Sequence, residues 1–347
     1  MSNAVIKSFC LDFNWDLIYR PAAPGLYGHA DPARHLAWYQ QLGANVIQTF
    51  CVSYNGHAWY RDSEVAPVTP NLTHDFLPEL TRRGHQAGMK VMGYFCLGSN
   101  MTYARNQPNH CWHDTQEAKI SHPQSNWLPF TTEYLDYFCA SIRDALRKTE
   151  IDGFMIDWFR TNRGKTWLDN EKVMWAELMG EPFPSASEPN EAETIAFERR
   201  QIERAWDRIK QAVADVRPAV IWTNHPFFKA DDPRWNNHRL LREVDWILNE
   251  SPDLSLLTWL EKQIGPNTKI LQCLTGWDSH RADLWEQVDR ARFGFYGFSA
   301  VHPETTLPWT AEQIASYRRP VLTSKYLLQV ETDSRNVELM RQAYHKL

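Results

Sequence analysis

The chain has 347 residues, 43% of them apolar and 23% charged, with a formal net charge of −5. This suits one large domain or two ordinary ones, with ample apolar material for a core. The small net charge and the lack of basic blocks argue against nucleic acid or an anionic membrane surface as partner.

Strand-like and helix-like segments alternate from the start. A first strand over residues 5–11 ends at Asp12-Phe13-Asn14-Trp15. A helix over 32–42 follows, with Asp31 as cap, Pro32 in its first position and Gly43 as stop. The second strand, 45–52, ends in Ser53-Tyr54-Asn55-Gly56-His57, and a helix over 75–87 stops at Gly88. The third strand, 90–96, ends in Leu97-Gly98-Ser99-Asn100. A polar stretch bearing His and Trp (101–130) reads as an insertion before a helix over 132–148, where Tyr134, Phe138, Ile142 and Ala145 keep helical spacing.

The fourth strand is the most informative. Ile151-Asp152-Gly153-Phe154-Met155-Ile156-Asp157-Trp158 is an apolar run that stops abruptly on a carboxylate and an indole. A run this apolar is normally buried on both faces, as parallel strands are. A second insertion, 161–190, carries Pro182, Pro184 and Pro189 and leads into a charged helix over 191–216. The fifth strand (219–223) ends at Asn224-His225 and the sixth (245–248) at Asn249-Glu250. A helix over 254–264 comes next. The seventh strand (269–274) ends at Gly276-Trp277-Asp278 and is followed by a helix over 281–293. The eighth strand (294–301) ends at His302-Pro303-Glu304, and a last helix spans 311–327.

Eight strand–helix units without an evident linker match a single (β/α)₈ barrel over residues 1–347, a fold of ~250 residues before insertions. A doubly wound open sheet is the alternative, but no glycine-rich phosphate loop follows the first strand.

In such a barrel chemistry collects past the carboxyl ends of the strands. The residues expected there are Asp12, Asn14, Trp15, Asn55, His57, Asn100, Asp157, Trp158, Asn224, His225, Glu250, Trp277, Asp278 and His302. Amides and imidazoles suit a neutral polyhydroxylated ligand, whose hydroxyls both donate and accept. Sixteen tryptophans add apolar plates for sugar C–H faces, though many belong to the core. Asp157 and Glu250 are the candidate catalytic carboxylates. Strands two apart can set such a pair across a sugar, and the apolar Trp246-Ile247-Leu248 before Glu250 favours a protonated acid. Asp278 and Glu304 are the substitutes.

No cofactor is expected. The competing chemistry is a metal-dependent barrel hydrolase using Asp12, His57, Asp157, His225 and His302. His110, Cys111, His113 and His122 lie close in sequence but lack standard zinc spacing. A catalytically silent sugar-binding barrel is the third reading. The six cysteines show no CxxC spacing and read as buried free thiols, which favours a reducing compartment. With no signal-peptide core and no membrane-length apolar run, a cytoplasmic location is expected.

Three segments resemble the barrel of α-L-fucosidases and related hypothetical glycosyl hydrolases. They are Leu42-Gly43-Ala44-Asn45-Val46-Ile47 through Trp59, the third strand from Gly88 to Phe95, and the helix from Tyr134 leading into Ile151–Asp157. Together they cover roughly residues 30–160. The likeness implies a retaining exo-glycosidase barrel acting on a carbohydrate, with Asp157 as nucleophile. The chain departs from that family at Ser53-Tyr54, where paired histidines are usual, at Asn55 in place of an aspartate, and at His57 in place of an aromatic residue. The family's acid/base varies in position and does not transfer to Glu250.

Overall fold

The computed structural model describes residues 4–16, 21–113, 126–161, 166–224, 232–276, 281–290, 292–316 and 324–347. β1 (Lys7–Asp12) is followed by α1 (Pro32–Leu42), whose Asp31 side chain accepts from the Ala33 amide at 2.8 Å. Gly43 ends α1 at φ 81°, a conformation that a side chain would strain. Then come β2 (Val46–Gln48), α2 (Phe76–Gln86) and β3 (Lys90–Cys96). The first insertion holds α3 (Met101–Asn106), a 3₁₀ turn, and two short antiparallel strands, β4 (Trp112–His113) and β5 (Asn126–Trp127). α4 (Thr132–Lys148) leads into β6 (Gly153–Asp157). α5 (Asp169–Met179) lies in the second insertion, ahead of α6 (Glu191–Ala214). β7 (Val220–Asn224), α7 (Arg239–Glu243), β8 (Trp246–Asn249), α8 (Ser255–Gln263) and β9 (Lys269–Cys273) follow. β10 (Phe293–Ala300), α9 (Ala311–Ser316) and α10 (Ser324–Lys346) complete the chain.

Eight strands close a barrel in the order β1-β10-β9-β8-β7-β6-β3-β2, with every neighbouring pair parallel. The (β/α)₈ barrel expected from the alternation is the fold. Strand residues alternate between the helical layer and the lumen. Phe9 packs outward on Trp38 of α1, with ring centroids 5.0 Å apart, which turns Cys10 and Asp12 inward. Below the rim the lumen is filled by side chains. Trp222 meets Tyr296 at 5.2 Å and Trp246 at 5.7 Å, and Gln48 donates to the Met155 sulfur at 3.0 Å. Tryptophan therefore serves the core heavily, and Trp175, Trp206, Trp222 and Trp235 are among the largest fully buried side chains. A satellite cluster of Trp167, Met174, Trp175 and Phe197 packs α5 on α6.

Three sequence expectations differ from the structure. The second strand, expected over 45–52, is regular only to Gln48. Beyond it the Cys51 and Val52 amides both reach the Tyr94 carbonyl, at 3.1 and 3.2 Å, which makes a bulge. The helix expected over 281–293 is a 3₁₀ turn, Ala282–Glu286, because β10 already begins at Phe293 to pair with Ile270. The outer layer there is supplied by α10, whose Met340 lies against Gly297. Of the helix expected over 311–327, residues 311–316 are helical and residues 317–323 lie outside the described residues. The two insertions, read as loops, hold the helices and the small sheet named above. Among the described residues no helix is long and apolar enough to cross a membrane.

Candidate active site

Because the barrel strands are parallel, one rim collects all their carboxyl ends. Asp12 closes β1, Asp157 closes β6, Asn224 closes β7 and Glu250 follows β8. Asn55 and His57 lie in the loop after β2, Asn100 just past β3, and His302 just past β10. His225, Trp277 and Asp278 lie outside the described residues.

The centre of the rim is built around Asn224. Its Nδ2 donates to Asp157 Oδ1 at 2.5 Å and to Glu250 Oε2 at 3.2 Å. The two carboxylate oxygens are thus separated by no more than the sum of those two contacts. That is short of the ~6.5 Å at which inverting pairs begin and in keeping with the ~5–5.5 Å of retaining pairs. Asp157 receives two more hydrogen bonds, from the Tyr94 hydroxyl to Oδ2 and from the Trp158 amide to Oδ1, both at 2.8 Å. Trp158 itself stands at φ 53°, a left-handed conformation unusual for an aromatic residue and typical of functional sites.

Burial pushes the Asp157 carboxyl above its ordinary range, while Tyr94, the Trp158 amide, Arg160 and Asn224 pull it back down. Burial likewise pushes Asp12 up to about 7, against the amide of Asn14, which donates to Asp12 Oδ1 at 2.8 Å, and with the Asp157 charge adding to the rise.

A folded carboxyl raised above its unfolded value binds its proton more tightly when folded. The stability it brings is full below the unfolded value and is lost as pH rises through about 7. Asp12→Asn removes that loss. The substitution is expected to stabilise the protein more at pH 8 than at pH 5, by ~2 kcal/mol or more between the two. Urea unfolding at both pH values measures it, and an equal effect at each would mean that Asp12 titrates normally.

Residues 31–158 match the family of hypothetical glycosyl hydrolase 6. The glycosyl hydrolase match ends one residue beyond Asp157. The whole barrel is similar to α-L-fucosidase isoenzyme 2 from Paenibacillus thiaminolyticus, with a TM-score of 0.68, 16% identity, and coverage of 99% of this chain and 49% of that one. The chain therefore spans about half of that fucosidase's length. It is also similar to the glycoside hydrolase domain of PgaB (BpsB) from Bordetella bronchiseptica, with a TM-score of 0.58, 12% identity, and coverage of 90% and 96%. At these identities the likeness is one of fold, and it bears out the expected fucosidase-like glycosyl hydrolase barrel. No curated protein matches the chain.

Several residues expected to hold a sugar also have partners in the scaffold. Asn14 Oδ1 accepts from the Tyr54 amide at 2.8 Å, tying the loops after β1 and β2 together. Asn55 donates to the Ala22 carbonyl at 3.2 Å and accepts from the Ser53 hydroxyl and the His57 amide. Asn100 caps α3 by accepting from the Tyr103 amide at 2.8 Å. His302 Nδ1 accepts from the Glu304 amide at 3.2 Å and its ring stands edge-on to Trp309. Trp15 stacks on Tyr54, with centroids 6.2 Å apart and planes 16° off parallel. His57 is half-buried, and burial, with Arg105 adding and the Asn55 backbone opposing, lowers its pKa.

Three residues at the centre were not expected from the sequence: Tyr94, Arg160 and Trp127. Tyr94 lies mid-strand, where an aromatic reads as core. Trp127 comes from the segment read as the first insertion and Arg160 from the short stretch between the fourth strand and the second insertion; the Arg160 guanidinium lies 5.4 Å from the Trp127 ring centroid and 5.7 Å from that of Trp158. Among the described residues no group of three or more His, Cys, Asp or Glu side chains could hold a metal ion. All six cysteines are buried and free.

Proposed function

We propose that the chain is a retaining exo-glycosidase. The observation that carries the reading is the single amide, Asn224 Nδ2, that donates to both Asp157 and Glu250. A shared donor keeps the two carboxyl groups at a separation suited to a double displacement and too small for a water molecule to work between one carboxylate and the sugar.

In the first step an Asp157 oxygen attacks the anomeric carbon while Glu250 gives its proton to the glycosidic oxygen, so the C–O bond to the leaving group breaks and a glycosyl ester forms. In the second step the Glu250 carboxylate takes a proton from water, the resulting hydroxide attacks the anomeric carbon, and the ester bond breaks to free Asp157. The roles follow from the surroundings. Asp157 has three hydrogen-bond donors that favour a carboxylate. Glu250 is 8% exposed at the end of an apolar strand, a setting that favours an acid holding its proton. Action on a terminal sugar is supported by the likeness to a fucosidase barrel.

The test is a panel of aryl glycosides, with proton NMR of the first-formed product. The reading expects release of a terminal sugar with the anomeric configuration of the substrate. An inverted first product, or cleavage only within a polymer, would overturn it.

A further inference from the structure

Arg160 sits three residues beyond Asp157, and its surroundings are more rigid than a loop position requires. The Trp127 and Trp158 rings lie with centroids 4.4 Å apart and planes 30° from parallel, and the guanidinium is seated against both. Each ring is fastened. Trp127 is bridged to Ser99, and the next residue, Leu128, donates its amide to the Gly98 carbonyl at 3.0 Å. Gly98 has no side chain because a Cβ there would come within 2.8 Å of the Trp158 carbonyl oxygen and 3.1 Å of the Trp127 ring. Trp158 is held at φ 53° with its amide on Asp157, and its ring also meets Tyr54 at 5.8 Å. The indole faces that a sugar would otherwise use are therefore turned to one another, to Tyr54 and to the arginine.

Resting on the reading of Asp157 as nucleophile, we propose that Arg160, clasped by Trp127 and Trp158, is the positioning residue that holds Asp157 as a carboxylate and so sets the acid side of the pH–rate profile. The groups facing Asp157 make the need plain. Asp12 on β1 is an acid whose charge and that of Asp157 oppose one another, and Glu250 past β8 adds to the opposition once it has released its proton. Cys10 on β1, and Tyr94 and Cys96 on β3, are kept neutral by burial. Asn224 on β7 gives a dipole and no charge. Arg160, seated on the ring of Trp158 whose amide donates to Asp157, is a cation that the Asp157 and Glu250 charges attract. Burial lowers its own pKa, yet a guanidinium stays charged at any working pH.

The experiment compares the pH dependence of kcat/KM for an aryl glycoside in the unmodified enzyme, Arg160→Gln, Arg160→Lys and Trp127→Leu. Without the cation the Asp157 proton is held more tightly, so the acid limb moves to higher pH. Arg160→Gln should shift it by about one pH unit or more, with Arg160→Lys recovering most of the shift. Trp127→Leu, which keeps the charge but loosens its seat, should move the limb the same way by less. An unmoved limb in whichever of the Gln and Leu variants folds, or a rise in KM with no change of profile, overturns the proposal and makes Arg160 a substrate or scaffold contact. A readout without turnover separates this from failure of the glycosidase reading. In protein carrying ¹³C-carboxyl aspartate, with Asp157→Asn identifying the signal, Asp157 should titrate higher in Arg160→Gln even where no glycoside is cleaved. An unchanged titration overturns the proposal there too.

Discussion

Asp157→Ala is expected to lower kcat/KM for an aryl glycoside by ~10³-fold or more, equivalent to ~4 kcal/mol or more of lost transition-state stabilisation. In the proposed mechanism the substitution removes the atom that forms the ester and the charge that faces the developing oxocarbenium ion. It also leaves the Tyr94 hydroxyl, the Trp158 amide and one Asn224 hydrogen without their acceptor. The fold should survive. Asp157 ends its strand at the rim, and loss of a partly buried carboxyl whose ionisation is opposed by desolvation removes a cost as well as its bonds. Steady-state kinetics with a circular dichroism control checks both halves. Unimpaired turnover in a folded variant would make the carboxylate a structural group.

Glu250→Ala is expected to discriminate between leaving groups. A substrate with a poor leaving group needs a proton as the bond breaks and should slow by ~10²–10⁴-fold, whereas an activated one should be slowed far less in its first step. The second step then lacks its base, so the glycosyl ester should accumulate as a burst. Azide, which attacks without deprotonation, should restore turnover and give a glycosyl azide of retained configuration. Equal slowing of both substrate types without azide rescue would move the acid/base role to Asp278 or Glu304.

Much of this arrangement was legible in the sequence because parallel strands, buried on both faces, are written as apolar runs that stop where they meet solvent. Ile156-Asp157, Thr223-Asn224 and Leu248-Asn249-Glu250 mark three adjacent barrel strands in this way, and those three ends form the centre of the site. The division of labour among the other polar residues was not legible. Asn14, Asn55, Asn100 and His302 stand at strand ends as a sugar ligand would, but each also has a backbone partner, in one case 40 residues away in the chain, and local pattern carries no record of that. Tyr94 looks like any inward aromatic until β3 pairs with β6 and brings its hydroxyl to Asp157. Trp127 reaches the site only because the first insertion folds back onto Ser99, a tertiary event with no hydrophobic period to announce it. The helix expected over 281–293 failed for a related reason: amphipathic spacing is satisfied equally by a short turn when another element, α10, covers the strand.

The amide of Asn224 has a consequence for the reaction as a whole. In the double displacement proposed above, one unit of negative charge changes owner. It begins on Asp157, is consumed as the ester bond forms, and reappears on Glu250, which has just surrendered its proton. A side chain with two hydrogens, one toward each oxygen, serves both owners from a fixed position. The solvation of the migrating charge is already in place at both ends of its path, so the second half of the cycle can begin without any reorientation of the protein around it.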